Sequence, residues 1–297
     1  YGWYRASQNS VYYTQNCDGS HGFGNYPTNA QRLVEEAIDA ADPYIDFSLY
    51  DNDGDNYVDG IFIVHAGTGY EESGSDCEIH SHAWSINSRA KDGVYISGYS
   101  MEPEESAGSA DIAPIGVFCH EFGHVLGLPD LYDTDYSSRG CGYWTVMASG
   151  SYNGNSRIPA HFDAWCKKEL GFISPINVLS NQTNLILPAA AWNPAAYRLW
   201  ANGSVGSQYF LVENRQRMGF DRELPWEGLL IWHIDETRWC NTDDWHPLVM
   251  LEQADGRFDL LNNNNGGDAS DVYPWGGTDH FDDKTIPNSR SYTNSVT

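Results

Sequence analysis

Cys119-His-Glu-Phe-Gly-His-Val-Leu-Gly-Leu-Pro-Asp130 is the stretch on which the fold turns. Residues four apart on an α-helix share a face, so His120 and His124 aim both imidazoles at one point and can share a Zn²⁺ ion. Glu121 is rotated off that face yet stays beside the metal, where a carboxylate can take a proton from water and pass it to a leaving amine. The bare His-Glu-x-x-His pattern arises by chance in about one chain in a hundred of this composition. Its continuation is far more restrictive. Gly127 breaks the helix, and the Leu128-Pro129 turn returns Asp130 as a hard oxygen ligand. Asp130 is the expected third ligand, with Asp133, Asp163 and Glu169 the carboxylates that would replace it. The fourth position stays open for water and substrate.

Working outward, the helical pattern around this motif runs from Asp111, a candidate cap, to Leu126, with Pro114 tolerated in the first turn. Thr28 to Asp42 repeats apolar residues at Ala30, Leu33, Val34, Ala37, Ile38 and Ala41, one helical face, with Thr28 or Asn29 as cap and Pro43 as stop. Pro159 to Leu170, ended by Gly171, predicts a third helix. Val58 to His65 reads as a buried strand; Ile63 to His65 would lie near the metal helix and offer its backbone to substrate, His65 itself being structural. Tyr1 to Tyr4 and Val11 to Tyr13 are strand-like. Beyond Pro175 only short strand candidates follow: 185–187, 197–200, 209–212, 229–234 and 249–251. These elements predict an α+β fold, with a catalytic domain of mixed sheet and active-site helix over residues 1–175. A β-rich part, 176–297, is either separate or integral to it.

The chain resembles the immune inhibitor A family of secreted bacterial metallopeptidases, among the metzincin-like zinc peptidases with H-E-x-x-H-x-x-G-x-x-(H/D). Leu128-Pro-Asp-Leu-Tyr-Asp133 is similar to the family's segment after the zinc helix. Tyr143-Trp-Thr-Val-Met147 is similar to its Met-turn, which implies that Met147 floors the metal. Asp51-Asn-Asp-Gly-Asp55, Val58 to Gly67, Tyr209 to Arg215 and Gly228 to Asp235 also resemble family segments. The resemblance implies a zincin-like catalytic fold. One departure is Ser149, where such peptidases often carry a Tyr; Tyr143 or Tyr152 would take its part. Read on its own, Met147 is equally a core methionine.

Asp51, Asp53, Asp55 and Asp59 alternate around Gly54, which predicts a Ca²⁺ loop. Phe62 stands where an EF-hand would carry its last Glu. Asp255, Asp259, Asp268 and Asp271, among Asn262 to Asn265, form a second candidate Ca²⁺ cluster that ordinary turn chemistry also explains. His80 and His82 lack a third ligand and are assigned nothing. The net charge of −25 repels nucleic acid and anionic membranes. No apolar run approaches the roughly 20 residues of a membrane span. Six cysteines without C-x-x-C spacing fit disulfides in an extracellular setting, with pairing left open. With no initial Met or signal peptide, the chain is expected to be a processed or truncated product, secreted or held at the cell surface by segments outside it. The expected function is a zinc endopeptidase acting on proteins or peptides, with one catalytic Zn²⁺ and structural Ca²⁺. The rivals are a calcium-stabilised adhesive or carbohydrate-binding module with a dead zinc site, and an inactive zymogen fragment.

Overall fold

A computed structural model describes residues 3–106, 111–200 and 203–293. The chain has a mixed α+β fold that divides into two compact units, residues 1–127 and 128–297.

The first unit contains α1 (Ser10–Tyr13), α2 (Ala30–Ala41), β1 (Ile61–Thr68), α3 (Tyr70–Ser73), β2 (His82–Lys91), β3 (Val94–Glu105) and α4 (Ile115–Val125). The strand order is β1-β3-β2, with β1 parallel and β2 antiparallel to the central β3. Successive strand residues face opposite sides, so each face can bury one helix. Ile61, Ile63, Ile96, Tyr99 and Met101 pack with Val34 and Ile38 of α2. On the opposite face Phe62 stacks on Phe122 of α4, ring centroids 4.5 Å apart. The Asn29 side chain caps α2 by accepting from the Arg32 amide. The acidic face of α2 meets β2 through Asp39 with Arg89 and Asp42 with Lys91. Cys17 and Cys77 form a disulfide in this unit, while Cys119, Cys141, Cys166 and Cys240 are thiols.

Several elements differ from the sequence reading. Val11 to Tyr13 lies in α1, a helical turn capped by Asn9, because the Asn side chain captures the Tyr12 amide; Tyr1 and Gly2 lie outside the described residues. Helix α4 begins at Ile115, not Asp111. Residues before a proline are driven out of the α region, and Pro114 is itself extended at ψ 157°. The strand expected from Val58 begins at Ile61 and runs to Thr68.

The second unit holds α5 (Ala164–Glu169), β4 (Ile176–Asn177), β5 (Tyr197–Trp200), β6 (Gln208–Arg215), β7 (Gly228–Asp235) and β8 (Val249–Leu251), in a five-stranded sheet ordered as numbered. Residues 185–187 are not a strand. Helix α5 starts five residues later than Pro159 because the Asp163 carboxylate caps it, accepting from the Trp165 and Cys166 amides. The Ala160 and His161 amides are already committed to Gly150 and Asp221. At the end of β6, fully buried Arg215 grips Asp221 at 2.8 and 2.5 Å and also meets Glu213, which pairs with Lys167. Each buried charge is thereby paired, as desolvation demands.

Candidate metal centre

Helix α4 places His120 and His124 one turn apart, both turned to the same side. Their Nε2 atoms stand 3.2 Å apart with the rings nearly perpendicular, 88°. Two nitrogens bound to one tetrahedral Zn²⁺ at 2.0–2.1 Å would stand about 3.3–3.4 Å apart, so the pair fits that ion. The helix stops at Leu126, and Gly127 takes the left-handed conformation, φ +96°, that turns the chain back. His120, His124 and Asp130 then each offer a ligand atom within 4.8 Å of the others. This is a nitrogen–nitrogen–carboxylate donor set of the kind catalytic zinc takes, leaving a fourth position.

The alternative third ligands are engaged elsewhere. Asp133 accepts from Asp135, Ser137 and Ser138, Asp163 caps α5 and accepts from the Thr145 hydroxyl, and Glu169 meets Lys168. Glu121, next to His120 on α4, is buried. Near it on β3 lies a residue the sequence reading passed over, Glu102, whose carboxyl is fully buried. Burial, with the charges of Glu121 and Glu71 adding and Ser100 opposing, pushes its pKa up to about 8. Local pattern gives it no signal, because it reads as the start of the acidic run Glu102-Pro-Glu-Glu105.

Met147 is fully buried, and its carbonyl accepts the Leu131 amide at 2.8 Å. Tyr143 and Tyr152 are exposed. His65 is turned to the same side as Ile63, and burial lowers the pKa of its imidazole. His82 is buried against the Tyr99 hydroxyl.

Of the first acidic cluster, Asp51, Asp53 and Asp59 bring carboxylate oxygens within 4.8 Å of one another. Asp55 stands outside the group, its Oδ1 accepting the Tyr57 amide. Asp255, Asp259, Asp268 and Asp271 form no comparable group among the described residues. Their oxygens instead accept from the side chains of Ser270, Asn264, Asn265, Gln253 and Trp144.

Residues 1–172 match the family described as immune inhibitor A peptidase M6, catalytic domain, and the chain belongs to that family. The pre-pro-metalloprotease PrtV of two Vibrio cholerae O1 strains is 33% identical over 204 residues, covering 57% of this chain and 21% of the relative. Immune inhibitor A of Bacillus thuringiensis subsp. alesti is 35% identical over 160 residues, covering 43% of this chain and 22% of the relative. The matched stretch thus spans about a fifth of these curated relatives. Among the described residues no helix is long and apolar enough to cross a membrane.

Proposed function

We propose that this chain is the catalytic part of an extracellular zinc endopeptidase. The supporting observation is the facing Nε2 pair of His120 and His124 with the Asp130 carboxylate in reach. These three residues would hold the ion. Zinc, when bound, lowers the pKa of a water toward ~7 and polarises the scissile carbonyl. Glu121 takes the proton from the attacking water and hands it to the departing amine nitrogen. Its burial keeps bulk water from competing for that proton. Met147 supplies an apolar floor, and extended protein or peptide substrate lies across the metal site. Asp51, Asp53 and Asp59 hold a structural Ca²⁺. The catalytic domain ends near residue 175, a reading supported by the family match to residue 172.

The test is Glu121→Ala in the full chain, assayed on denatured protein and on a quenched-fluorescence peptide. We expect retained zinc and abolished cleavage. Unchanged cleavage by a folded, zinc-loaded variant refutes the mechanism. An adhesive module would show no cleavage in the parent chain and a response to Ca²⁺ alone.

A further inference from the structure

The loop that carries Asp130 is held by a side chain far along the chain, and we propose that Asn241 is a positioning residue of the metal centre. The proposal rests on the zinc reading above. Leu131 is fully buried, and its backbone is bonded on both sides. Its N–H donates to the Met147 carbonyl at 2.8 Å; its C=O accepts from the Cys141 amide at 2.8 Å and from Asn241 Nδ2 at 2.9 Å. The Leu131 nitrogen belongs to the same peptide plane as the Asp130 carbonyl carbon. Fixing both polar groups of Leu131 therefore fixes the direction in which Asp130 leaves the backbone.

Asn241 is suited to this by its chemistry. It is 1% exposed, and its Oδ1 accepts the Val249 amide at 3.0 Å while Nδ2 donates to the Val249 carbonyl at 2.8 Å. One amide thus extends the edge of β8 by mimicking a strand partner, and its second N–H reaches Leu131. Aspartate would keep the acceptor but turn a charged oxygen toward two carbonyls. The Met-turn segment is fixed from the same region: Arg215 donates to the Trp144 carbonyl, and the Trp144 indole donates to Asp271. Residues beyond 175 thereby set the geometry of a ligand before 131, and Asp130 reaches the metal without having to be ordered by it.

The experiment is a zinc titration of the full chain against a chromophoric chelator, for the parent, Asn241→Asp, Asp130→Ala and the double variant. We expect Asn241→Asp to weaken zinc binding about tenfold, the scale of an outer-shell partner. In the Asp130→Ala background the same change should alter the Kd by no more than about twofold, because the group it positions is gone. Asn214→Leu removes a different side-chain bond, to the Leu187 carbonyl, and serves as control. It should lower the melting temperature and leave zinc affinity intact. Asn241→Ser carries the same titration should the aspartate variant not fold. The proposal is overturned if folded Asn241 variants bind zinc like the parent, or lose as much affinity in the Asp130→Ala background as outside it. A parent chain that takes up no stoichiometric zinc overturns the underlying reading instead.

Discussion

At the residue scale, the proposed chemistry rests on His120, Glu121, His124 and Asp130, all within one short stretch. Helix geometry brings the first three together whatever the rest of the chain does, and a single left-handed turn at Gly127 delivers the fourth. That is why spacing alone made them legible. Glu121→Gln should cut kcat/KM by about 10²–10⁴ with one zinc still bound, measured by peptide cleavage alongside metal analysis. A loss of zinc together with activity would assign Glu121 a ligand's part. Asp55 and the Asp255 to Asp271 group stand apart from the cluster that Asp51, Asp53 and Asp59 form. Sequence shows how many carboxylates lie close along the chain, but not which of their oxygens converge in space. Asp51, Asp53 and Asp59 converge, while Asp55 turns to the Tyr57 amide and Asp271 to Gln253 and Trp144.

At the element scale, β6, β7 and β8 lie nearly where the short strand candidates beyond Pro175 predict them, while the hairpin of β2 and β3 is not among the predicted elements. Its turn is Asp92-Gly93, both at positive φ, 50° and 88°, a strong hairpin signal between alternating residues. That hairpin seats His82 of β2 against the Tyr99 hydroxyl of β3. Burial, only partly opposed by the bond to the His80 carbonyl, lowers the pKa of His82 to about 4 from an ordinary 6.5. With the folded pKa depressed, the unfolded chain binds the proton first as pH falls. His82 thus favours the fold fully above pH 6.5, and that advantage disappears as pH drops toward 4, by about 3 kcal/mol at most. Urea unfolding at pH 7 and pH 4.5 should show His82→Gln losing less stability on acidification than the parent; an equal loss contradicts this. Helix α5 is shorter than its pattern predicts because a cap that accepts two amides and a hydroxyl outweighs a favourable proline. Asp163→Ala should cost about 1–2 kcal/mol in the same assay, and no change would show the cap to be idle.

At the scale of the whole molecule, composition suggested a disulfide-bearing extracellular chain without saying which cysteines meet. Pairing depends on how the loop after α1 lies against the loop before β2, a long-range fact. The Cys17–Cys77 bridge closes a separation of 60 residues, so replacing both with serine should cost about 4 kcal/mol, read from urea unfolding of the parent and the double variant. The soft boundary at residue 175 came from a change of texture, whereas the compact units divide after Gly127. The clamp from Asn241 to Leu131 was invisible to local pattern because it spans more than a hundred residues. The central claim is that one zinc ion sits on His120, His124 and Asp130. An anomalous difference map collected on both sides of the zinc edge, on crystals grown with zinc, tests it most directly. We expect a single strong peak about 2.0–2.1 Å from both Nε2 atoms and from an Asp130 oxygen. A map with no peak there, or with zinc held by other residues, contradicts it.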